Sequence, residues 1–176
     1  MTFVCDKAFA SQSRGLMQHA AVPVRVRTIA AGKFRRYQHL SVARQLLMPS
    51  IVLANILDIF KILAGVCQSL WLVLRVRPDV IFAKGGFVCL PVGIAARCLR
   101  VPVVIHDSDA RPGLTNRVMA RWAAAIATGW PLKHYHYPAS RSRYVGVPIG
   151  ADFRPLTAAQ RQQARQTFSL DPHKPL

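Results

Sequence analysis

Short apolar runs alternate along the chain with longer stretches in which apolar residues recur at helical spacing. The runs, bounded by turn residues, predict strands at residues 3–5, 22–29, 79–83, 101–105 and 126–128. The stretches between them predict helices at residues 13–19, 40–76, 91–99 and 114–125. Because strand, helix and strand follow one another closely, we expect an α/β fold with a Rossmann-like parallel sheet and flanking helices.

The longest helical stretch, residues 40–76, is interrupted at Pro49. Proline starts helices better than it continues them, so we predict two helices divided at this point. The longest uncharged run in the stretch, residues 62–74, has 13 residues. A helix that crosses a bilayer needs about 20 apolar residues, so we expect no transmembrane span.

Two interpretations of this stretch stay open. The helix is either buried in the core or lies on an anionic membrane surface with one apolar side against the lipid. Helical spacing alone favours the core. The membrane-facing residues in the second case are Ile56, Ile59, Phe60 and Leu63. Basic residues on and after the predicted loop at residues 32–39 keep that case open: Lys33, Arg35, Arg36 and Arg44.

The strongly basic composition of the chain indicates which kinds of partner it can attract. The chain has 24 Lys and Arg against seven acidic residues, a net charge of +17 and a pI near 11.2, so any anionic surface attracts it. Most basic residues are scattered, and aromatic residues of the kind that stack on bases are few, so we expect no specific nucleic-acid partner. The N-terminal residues lack the features of a signal peptide, which predicts a cytoplasmic protein.

Neither cysteine nor histidine spacing indicates a metal site. The four cysteines have no C-x-x-C spacing and lie among apolar neighbours, which predicts buried reduced thiols: Cys5, Cys67, Cys89 and Cys98. His134 and His136 could share one face of an extended segment, but no carboxylate or cysteine nearby completes a ligand set. We expect no metal and no cofactor.

A cluster of polar residues follows the apolar run at residues 101–105. Ligands of open parallel sheets bind at the carboxyl ends of the strands, so His106, Asp107 and Asp109 mark a candidate site. Either aspartate could accept a proton from an attacking hydroxyl or hydrogen-bond a sugar, and His106 could do the same. The alternative is structural: Asp109 caps a turn and His106 satisfies backbone groups.

A second candidate feature is the turn that contains Gly85, Gly86 and Phe87, between a predicted strand and a predicted helix. Glycines there let backbone N–H groups approach a phosphate closely, although any tight turn uses glycine. Asn116, early in the next helix, either points into the same crevice or caps its own helix. Adjacent strand ends would place these groups and the His106 cluster together.

These residues lie in blocks that resemble a known family. RPDVIFAKGGFVCLPVGIAARCLRVPVVIHDSDARPGLTNRVMARWA and YVGVPIG are similar to the N-terminal domain of MurG-type peptidoglycan glycosyltransferases of family 28. The resemblance implies the GT-B architecture, of which this chain would be an incomplete N-terminal half. It also implies transfer of N-acetylglucosamine from UDP-N-acetylglucosamine to undecaprenyl-pyrophosphoryl-MurNAc-pentapeptide, so that lipid I becomes lipid II.

The resemblance assigns roles by position. Gly85, Gly86 and Phe87 match the glycine-rich loop implied to face the acceptor's pyrophosphate. His106 and Asp107 match the family's His-Glu pair and are the predicted catalytic residues.

Two nucleotide contacts of the family are changed here. Asp109 stands where the family has a donor-contacting Asn, which exchanges an amide for a group that only accepts hydrogen bonds. The Arg that ends the V-G-N-P-V-R motif is replaced by Gly150. Asn116, within the PGLTNR block, is a predicted substrate contact. The resemblance also favours the membrane-facing interpretation of the apolar helix, with a peripheral position on the inner face of the cell membrane.

The resemblance further predicts the domain organisation. Residues 1–150 would form the acceptor-side domain without the family's first strand and G-G-T-G-G-H loop. Residues 151–176 would be a linker and a short helix, started by a capping box at Thr157 and Gln160, that leads to a C-terminal donor domain absent from the chain. We expect such a fragment to be inactive alone. The alternative is a stand-alone membrane-surface subunit that recruits a separate UDP-sugar-binding chain.

Overall fold

The computed structural model describes residues 1–32, 48–150 and 154–169. Its strands are β1 (Thr2–Cys5), β2 (Arg25–Thr28), β3 (Ile81–Ala83), β4 (Val103–Asp107), β5 (Ala125–Thr128) and β6 (Ser142–Tyr144). Its α-helices are α1 (Ala10–Met17), α2 (Pro49–Val76), α3 (Cys89–Cys98), α4 (Leu114–Met119) and α5 (Ala158–Thr167). Two short 3-10 helices, Leu132–His134 and Ala139–Arg141, precede β6.

The strands form two parallel sheets. One sheet pairs β1 with β2, and the other has the order β3-β4-β5-β6. Ile105 in β4 lies between Ala83 of β3 and Ile126 of β5. The predicted α/β fold with parallel sheets and flanking helices is confirmed.

The largest core cluster lies between the four-stranded sheet and the helices α3 and α4. Ile105, Ala123 and Ala96 are fully buried there. Gly93 in α3 lies against the Met119 side chain, and a Cβ at this glycine would sit 2.6 Å from the methionine's terminal methyl. Glycine at residue 93 therefore leaves room for the Met119 side chain between α3 and α4.

Several strands and helices begin or end at residues other than those predicted. Strand β4 begins at Val103 and includes His106 and Asp107, which the sequence placed in a loop. The helix predicted to reach residue 125 ends at Met119, because the N–H of Ala124 donates to the β4 carbonyl of Val103 and the chain enters β5 directly. Strand β6 and the two 3-10 helices were not predicted.

Helix α2 begins at Pro49, as predicted, and continues without a break to Val76. The helix predicted before it lies outside the described residues, as do Lys33, Arg35, Arg36 and Arg44. By length and composition α2 is long and apolar enough to cross a membrane, so the expectation of no transmembrane span stays a prediction. One stripe of the helix nevertheless packs on the fold: Gly65 lies against Ala30 and Pro91, and Asp58 is buried.

The four cysteines differ in exposure. Cys5 is buried and Cys89 is half-buried, but Cys67 and Cys98 are exposed, so the prediction of four buried thiols is wrong for these two. All four are free thiols.

Candidate functional site

The carboxyl ends of four adjacent strands meet at one edge of the larger sheet. Gly85 follows β3, Ser108 follows β4, Gly129 follows β5 and Gly146 follows β6. Glycine or a small side chain after each strand lets the neighbouring loops approach closely, and a Cβ at Gly129 would lie 3.1 Å from the Cα of Ser108. This edge is the place where the sequence predicted a ligand crevice.

Gly85 and Asn116, which belong to different predicted features, are in contact. A Cβ at Gly85 would lie 2.9 Å from the Asn116 side-chain nitrogen. Asn116 is 4% exposed, and its Oδ1 has no hydrogen-bond partner among the described residues. A buried amide oxygen without a partner is uncommon, so this side chain is a candidate for contact with a ligand or a water molecule.

The conformation of the glycine turn depends on two positive φ angles and on a hydrogen bond from a thiol. Gly85 and Gly86 have φ angles of 93° and 85°, a region that favours glycine. The Cys89 thiol donates to the Gly85 carbonyl oxygen at 2.8 Å. Burial raises the pKa of this thiol, which keeps its proton available for the hydrogen bond. Helix α3 begins at Cys89, two residues before the predicted start, so the turn leads directly into a helix N-terminus.

His106 is buried and engaged at both ring nitrogens. Its Nε2 lies 2.9 Å from the carbonyl oxygen of Gly146, and its Nδ1 lies 3.1 Å from the Ser108 hydroxyl. A carbonyl oxygen only accepts, so the hydrogen is on Nε2, and in the neutral ring Nδ1 accepts from the serine. His106 therefore joins the loop after β4 to the loop after β6, which carries the YVGVPIG block.

Asp107 is also buried, at 1% exposure, and its two carboxylate oxygens have separate partners. Its Oδ1 accepts from the Asp109 backbone N–H at 3.3 Å, and its Oδ2 accepts from the Tyr137 hydroxyl at 2.7 Å. The Tyr135 hydroxyl donates to the Asp109 carbonyl oxygen at 2.7 Å, and the two tyrosine rings stack at 5.5 Å. Burial, together with the hydrogen bond to Asp107, raises the pKa of Tyr137 well above its usual value, so Tyr137 remains a donor.

Asp109 differs from Asp107 in exposure. Its backbone is fixed on both sides, but the residue as a whole is exposed at the edge of the crevice. Asp109 is thus the carboxylate of this cluster that solvent and a substrate can reach.

Most predicted site residues come together at this edge, namely Gly85, Gly86, His106, Asp107, Asp109 and Asn116. Phe87, in the same turn, is half-buried. The sequence missed Tyr135, Tyr137 and Cys89, which fix the two loops. The alternating aromatic residues of the YHYP segment are the signal that could have identified the tyrosines, but the interpretation of this segment rested on His134 and His136 as candidate metal ligands.

His134 and His136 are both exposed, and His134 ends a 3-10 helix rather than lying in an extended segment. The described residues contain no group of three or more His, Cys, Asp or Glu side chains placed to hold a metal ion.

The predicted membrane-facing residues share one exposed side of α2. Ile56, Ile59, Phe60 and Leu63 are 44% to 63% exposed. The preference of helical spacing for a core position was therefore wrong for these four residues, because the buried stripe of α2 runs through Ile51, Asp58, Gly65 and Leu72 instead.

Comparison with known proteins identifies the family. Residues 17–128, more than half of the chain, match the model of the glycosyltransferase family 28 N-terminal domain. The chain belongs to glycosyltransferase family 28.

Curated members of family 28 align over most of the chain. A UDP-N-acetylglucosamine–N-acetylmuramyl-(pentapeptide) pyrophosphoryl-undecaprenol N-acetylglucosamine transferase of Treponema pallidum is 38% identical over 151 residues, which are 84% of this chain and 35% of the relative. The transferase of the same name from Staphylococcus carnosus is 38% identical over 72% of this chain and 31% of its own length. The chain thus spans about a third of these family 28 relatives.

A solved structure shows the family 28 fold. The crystal structure of Acinetobacter baumannii MurG superposes with a TM-score of 0.57 at 22% identity, covering 99% of this chain and 41% of the other. The α/β architecture is therefore that of part of the GT-B fold.

Proposed function

We propose that this chain forms the acceptor-side part of an N-acetylglucosaminyltransferase that converts lipid I to lipid II with UDP-N-acetylglucosamine. Family 28 membership and relatives named for that reaction support the proposal. The observation that carries it in the structure is the contact between the Gly85 turn and Asn116 at the mouth of the crevice.

The proposed acceptor contacts are the Gly85–Gly86 turn and the Asn116 amide. The turn precedes the N-terminus of α3, where backbone N–H groups and the helix dipole favour an anion such as a pyrophosphate. The free Oδ1 of Asn116 accepts a hydrogen bond from a ligand hydroxyl or amide. Phe87 contributes apolar surface beside the turn.

The buried pair His106 and Asp107 acts, in this proposal, by shaping the loop rather than by touching substrate. Both side chains are buried and already hydrogen-bonded within the protein, His106 to Gly146 and Ser108 and Asp107 to the Asp109 backbone and Tyr137. The exposed Asp109 is the carboxylate placed to hydrogen-bond a sugar hydroxyl or to accept its proton. The prediction of a direct catalytic role for His106 and Asp107 remains a prediction.

Lipid I binding tests the acceptor assignment. Titration of the chain with lipid I carrying a shortened polyprenyl group should give saturable binding, and Asn116→Ala should weaken it about tenfold by removal of one hydrogen bond. Gly15→Ala is the matched control, because that exposed residue on α1 has nothing within 4 Å of an added Cβ. Urea unfolding of both variants shows whether weaker binding comes from the lost hydrogen bond or from a less stable protein. A chain that does not bind lipid I at all would contradict the proposal.

The second part of the proposal is a peripheral position on the inner face of the cell membrane, through the exposed side of α2. Four large apolar residues there are exposed, and the net charge of +17 attracts the chain to anionic lipid. Phe60→Glu should lower the affinity for phosphatidylglycerol vesicles about tenfold or more, because burial of one Phe side chain contributes about 1.5–3 kcal/mol.

Phe168→Glu is the charge-matched control for the vesicle measurement. Phe168 is 71% exposed and lies just after α5 rather than on α2. Sedimentation with vesicles should therefore change for Phe60→Glu and stay unchanged for Phe168→Glu. Equal losses for both variants would show that net charge alone drives the association.

A second candidate function is a membrane-surface subunit that works with a separate UDP-sugar-binding chain. The exposed apolar side of α2 and the net charge of +17 are the observations that favour this candidate. Co-purification of a UDP-binding polypeptide with the tagged chain from its native cell would support it.

A further inference from the structure

Strand β2 is paired along one edge only within the part of the chain that the structure describes. The N–H groups of Arg25 and Ile29 donate toward β1, at 2.9 and 3.1 Å. Alternate residues of a parallel strand bond to the same neighbour, so the N–H and C=O groups of Val26 and Thr28 point away from β1. The outer edge of β2 therefore presents two donors and two acceptors to a further strand.

The next donor along this edge is already bonded. The N–H of Ala30, which also points away from β1, donates to the side-chain oxygen of Gln68 in α2 at 2.7 Å. This oxygen takes the place that the carbonyl of a paired strand would take. The free part of the edge thus ends at Thr28.

A groove follows the free edge between α1 and α2. A cavity of about 570 Å³ is lined by residues 26–29, by Arg14 of α1 and by Trp71 of α2. A second cavity, of about 340 Å³, shares Arg14 and Val26 and continues to Val24. Residues 24–29 span roughly 20 Å at about 3.3 Å per residue, so the groove accommodates an extended segment of about five residues.

The charge of the groove indicates what kind of segment it binds. The sequence through β2 reads V-R-V-R-T, which places Arg25 and Arg27 on one face of the strand. Arg14 adds a third guanidinium, and Arg75 lies 5.5 Å from the ring centre of Trp71. No carboxylate is among the described residues that line either cavity. Glutamate or aspartate on the facing strand would supply the missing opposite charges.

A second copy of the chain is a poor occupant of this edge. Antiparallel pairing of two β2 strands would place both Arg25 and Arg27 rows on one face, opposite each other. Like charges directly opposite destabilise a strand pair. The same row that attracts an acidic segment therefore opposes pairing between copies.

We propose that the outer edge of β2 binds an extended acidic segment of a protein partner, which adds to the smaller sheet as one further strand. In this segment glutamate or aspartate alternates with apolar residues, in complement to the V-R-V-R pattern of β2. Its backbone pairs with Val26 and Thr28, and its carboxylates lie beside Arg25 and Arg27. The site uses no residue of the crevice at the larger sheet.

A designed peptide tests this inference on the full chain. The probe is Gly-Val-Glu-Val-Glu-Val-Gly with fluorescein at one end, and fluorescence anisotropy should show saturable binding. Replacement of both strand arginines, Arg25→Glu with Arg27→Glu, should weaken binding about tenfold or more. The same double variant should bind Gly-Val-Lys-Val-Lys-Val-Gly more tightly than the parent does, because the charge pattern is reversed on both sides.

Arg97→Glu with Arg143→Glu is the matched control. Both residues are exposed, on α3 and β6, and the change in net charge is the same. This variant should bind the glutamate peptide as the parent does. Equal weakening by the two double variants would show that net charge alone attracts the peptide and would overturn the proposal.

Backbone pairing has its own readout. Bound peptide should slow hydrogen exchange of the Val26 and Thr28 amides about tenfold or more. Thr28→Pro should abolish binding while it leaves the bonds to β1 in place, because this N–H points away from β1. Urea unfolding of this variant confirms that it is folded.

Four results would overturn the proposal. They are no binding of the glutamate peptide, equal binding of the rearranged peptide Gly-Glu-Glu-Val-Val-Val-Gly, competition by free glutamate or phosphate at the peptide's own concentration, and a dimer by light scattering that excludes the peptide. No sugar nucleotide or lipid is present, so the result is independent of the proposed function.

Discussion

At the scale of single residues, Gly85 and Gly86 have similar φ angles but different surroundings. Both have positive φ, whereas only Gly85 faces Asn116, since nothing lies within 4 Å of a Cβ at Gly86. Gly86→Ala should cost about 1–2 kcal/mol of unfolding free energy from backbone strain alone. Gly85→Ala should cost more, because its methyl group also displaces the Asn116 amide.

Urea unfolding of the two variants measures the difference. The pair is internally matched, because the added atoms and the sign of φ are the same. Equal losses of stability would mean that the contact between Gly85 and Asn116 does not constrain the turn.

The sequence predicted the position of the candidate site residues in the fold better than it predicted their hydrogen-bond partners. The transition from an apolar strand to a polar cluster at His106 and the adjacent glycines identify the carboxyl edge of a parallel sheet without any coordinates. The bond of Asp107 to Tyr137 joins residues 30 positions apart, and no local pattern encodes such a pairing. Whether a side chain is buried, as Asp107 is, or exposed, as Asp109 is, depends on how the later loops fold over the strand ends.

At the scale of elements, two helical glycines set how closely helices pack. A Cβ at Gly65 of α2 would collide with the backbone carbonyl of Ala30, whereas a Cβ at Gly93 of α3 would meet only the flexible end of Met119. Replacement by Ala gains about 1 kcal/mol of helix propensity at either position. We therefore expect Gly93→Ala to be close to neutral and Gly65→Ala to be destabilising by about 1–3 kcal/mol through overpacking.

Thermal or urea unfolding compares these two variants directly. Because the propensity gain is shared, the difference between them reports the cost of moving the backbone at Ala30. A Gly65→Ala chain as stable as Gly93→Ala would contradict the close crossing of α2 over the end of β2.

Helices and strands differed in how well the sequence predicted them. Pro49 starts α2, and the Thr157–Gln160 capping box starts α5, because both signals act within a single turn of chain. Strand β6 has three residues, of which Ser142 is buried while Arg143 and Tyr144 are exposed, so its composition resembles a loop. Its pairing with β5 defines it as a strand, and that pairing is a tertiary contact.

At the scale of the whole molecule, buried thiol and phenol groups that stay protonated in the folded chain should make its stability fall at alkaline pH. Burial raises the pKa values of Cys89, Tyr135 and Tyr137 in the folded chain. In the unfolded chain these groups ionise near their ordinary values, about 8.5 for Cys and 10 for Tyr. The folded state therefore holds protons that the unfolded state releases, and stability should be full below about pH 8 and fall as pH rises through 9 to 11.

Urea midpoints at pH 7, 9 and 10.5 measure this fall. Tyr137→Phe should lower the free energy of unfolding by about 1–3 kcal/mol at neutral pH, because Asp107 loses a buried hydrogen-bond donor. The stability of this variant should then fall less steeply than that of the parent toward pH 10.5. Tyr144→Phe is the control, since Tyr144 is 58% exposed and its variant should follow the parent. Parallel curves for the parent and Tyr137→Phe would show that Tyr137 does not carry the pH dependence.

The crossing at Gly65 has a mechanical consequence for the long helix. Pro49 lies 16 residues before it, so at about 1.5 Å per residue the N-terminal part of α2 extends roughly 24 Å beyond this crossing. Phe60 and Ile56 lie on that part, which packs on the fold a second time where Asp58 lies against Gly32. Two close backbone contacts on one side of the helix therefore keep its opposite, apolar side turned outward. At the first of them Pro91 lies in the opening turn of the helix that follows the glycine turn, so the orientation of that apolar side and the position of the turn are set by the same contact.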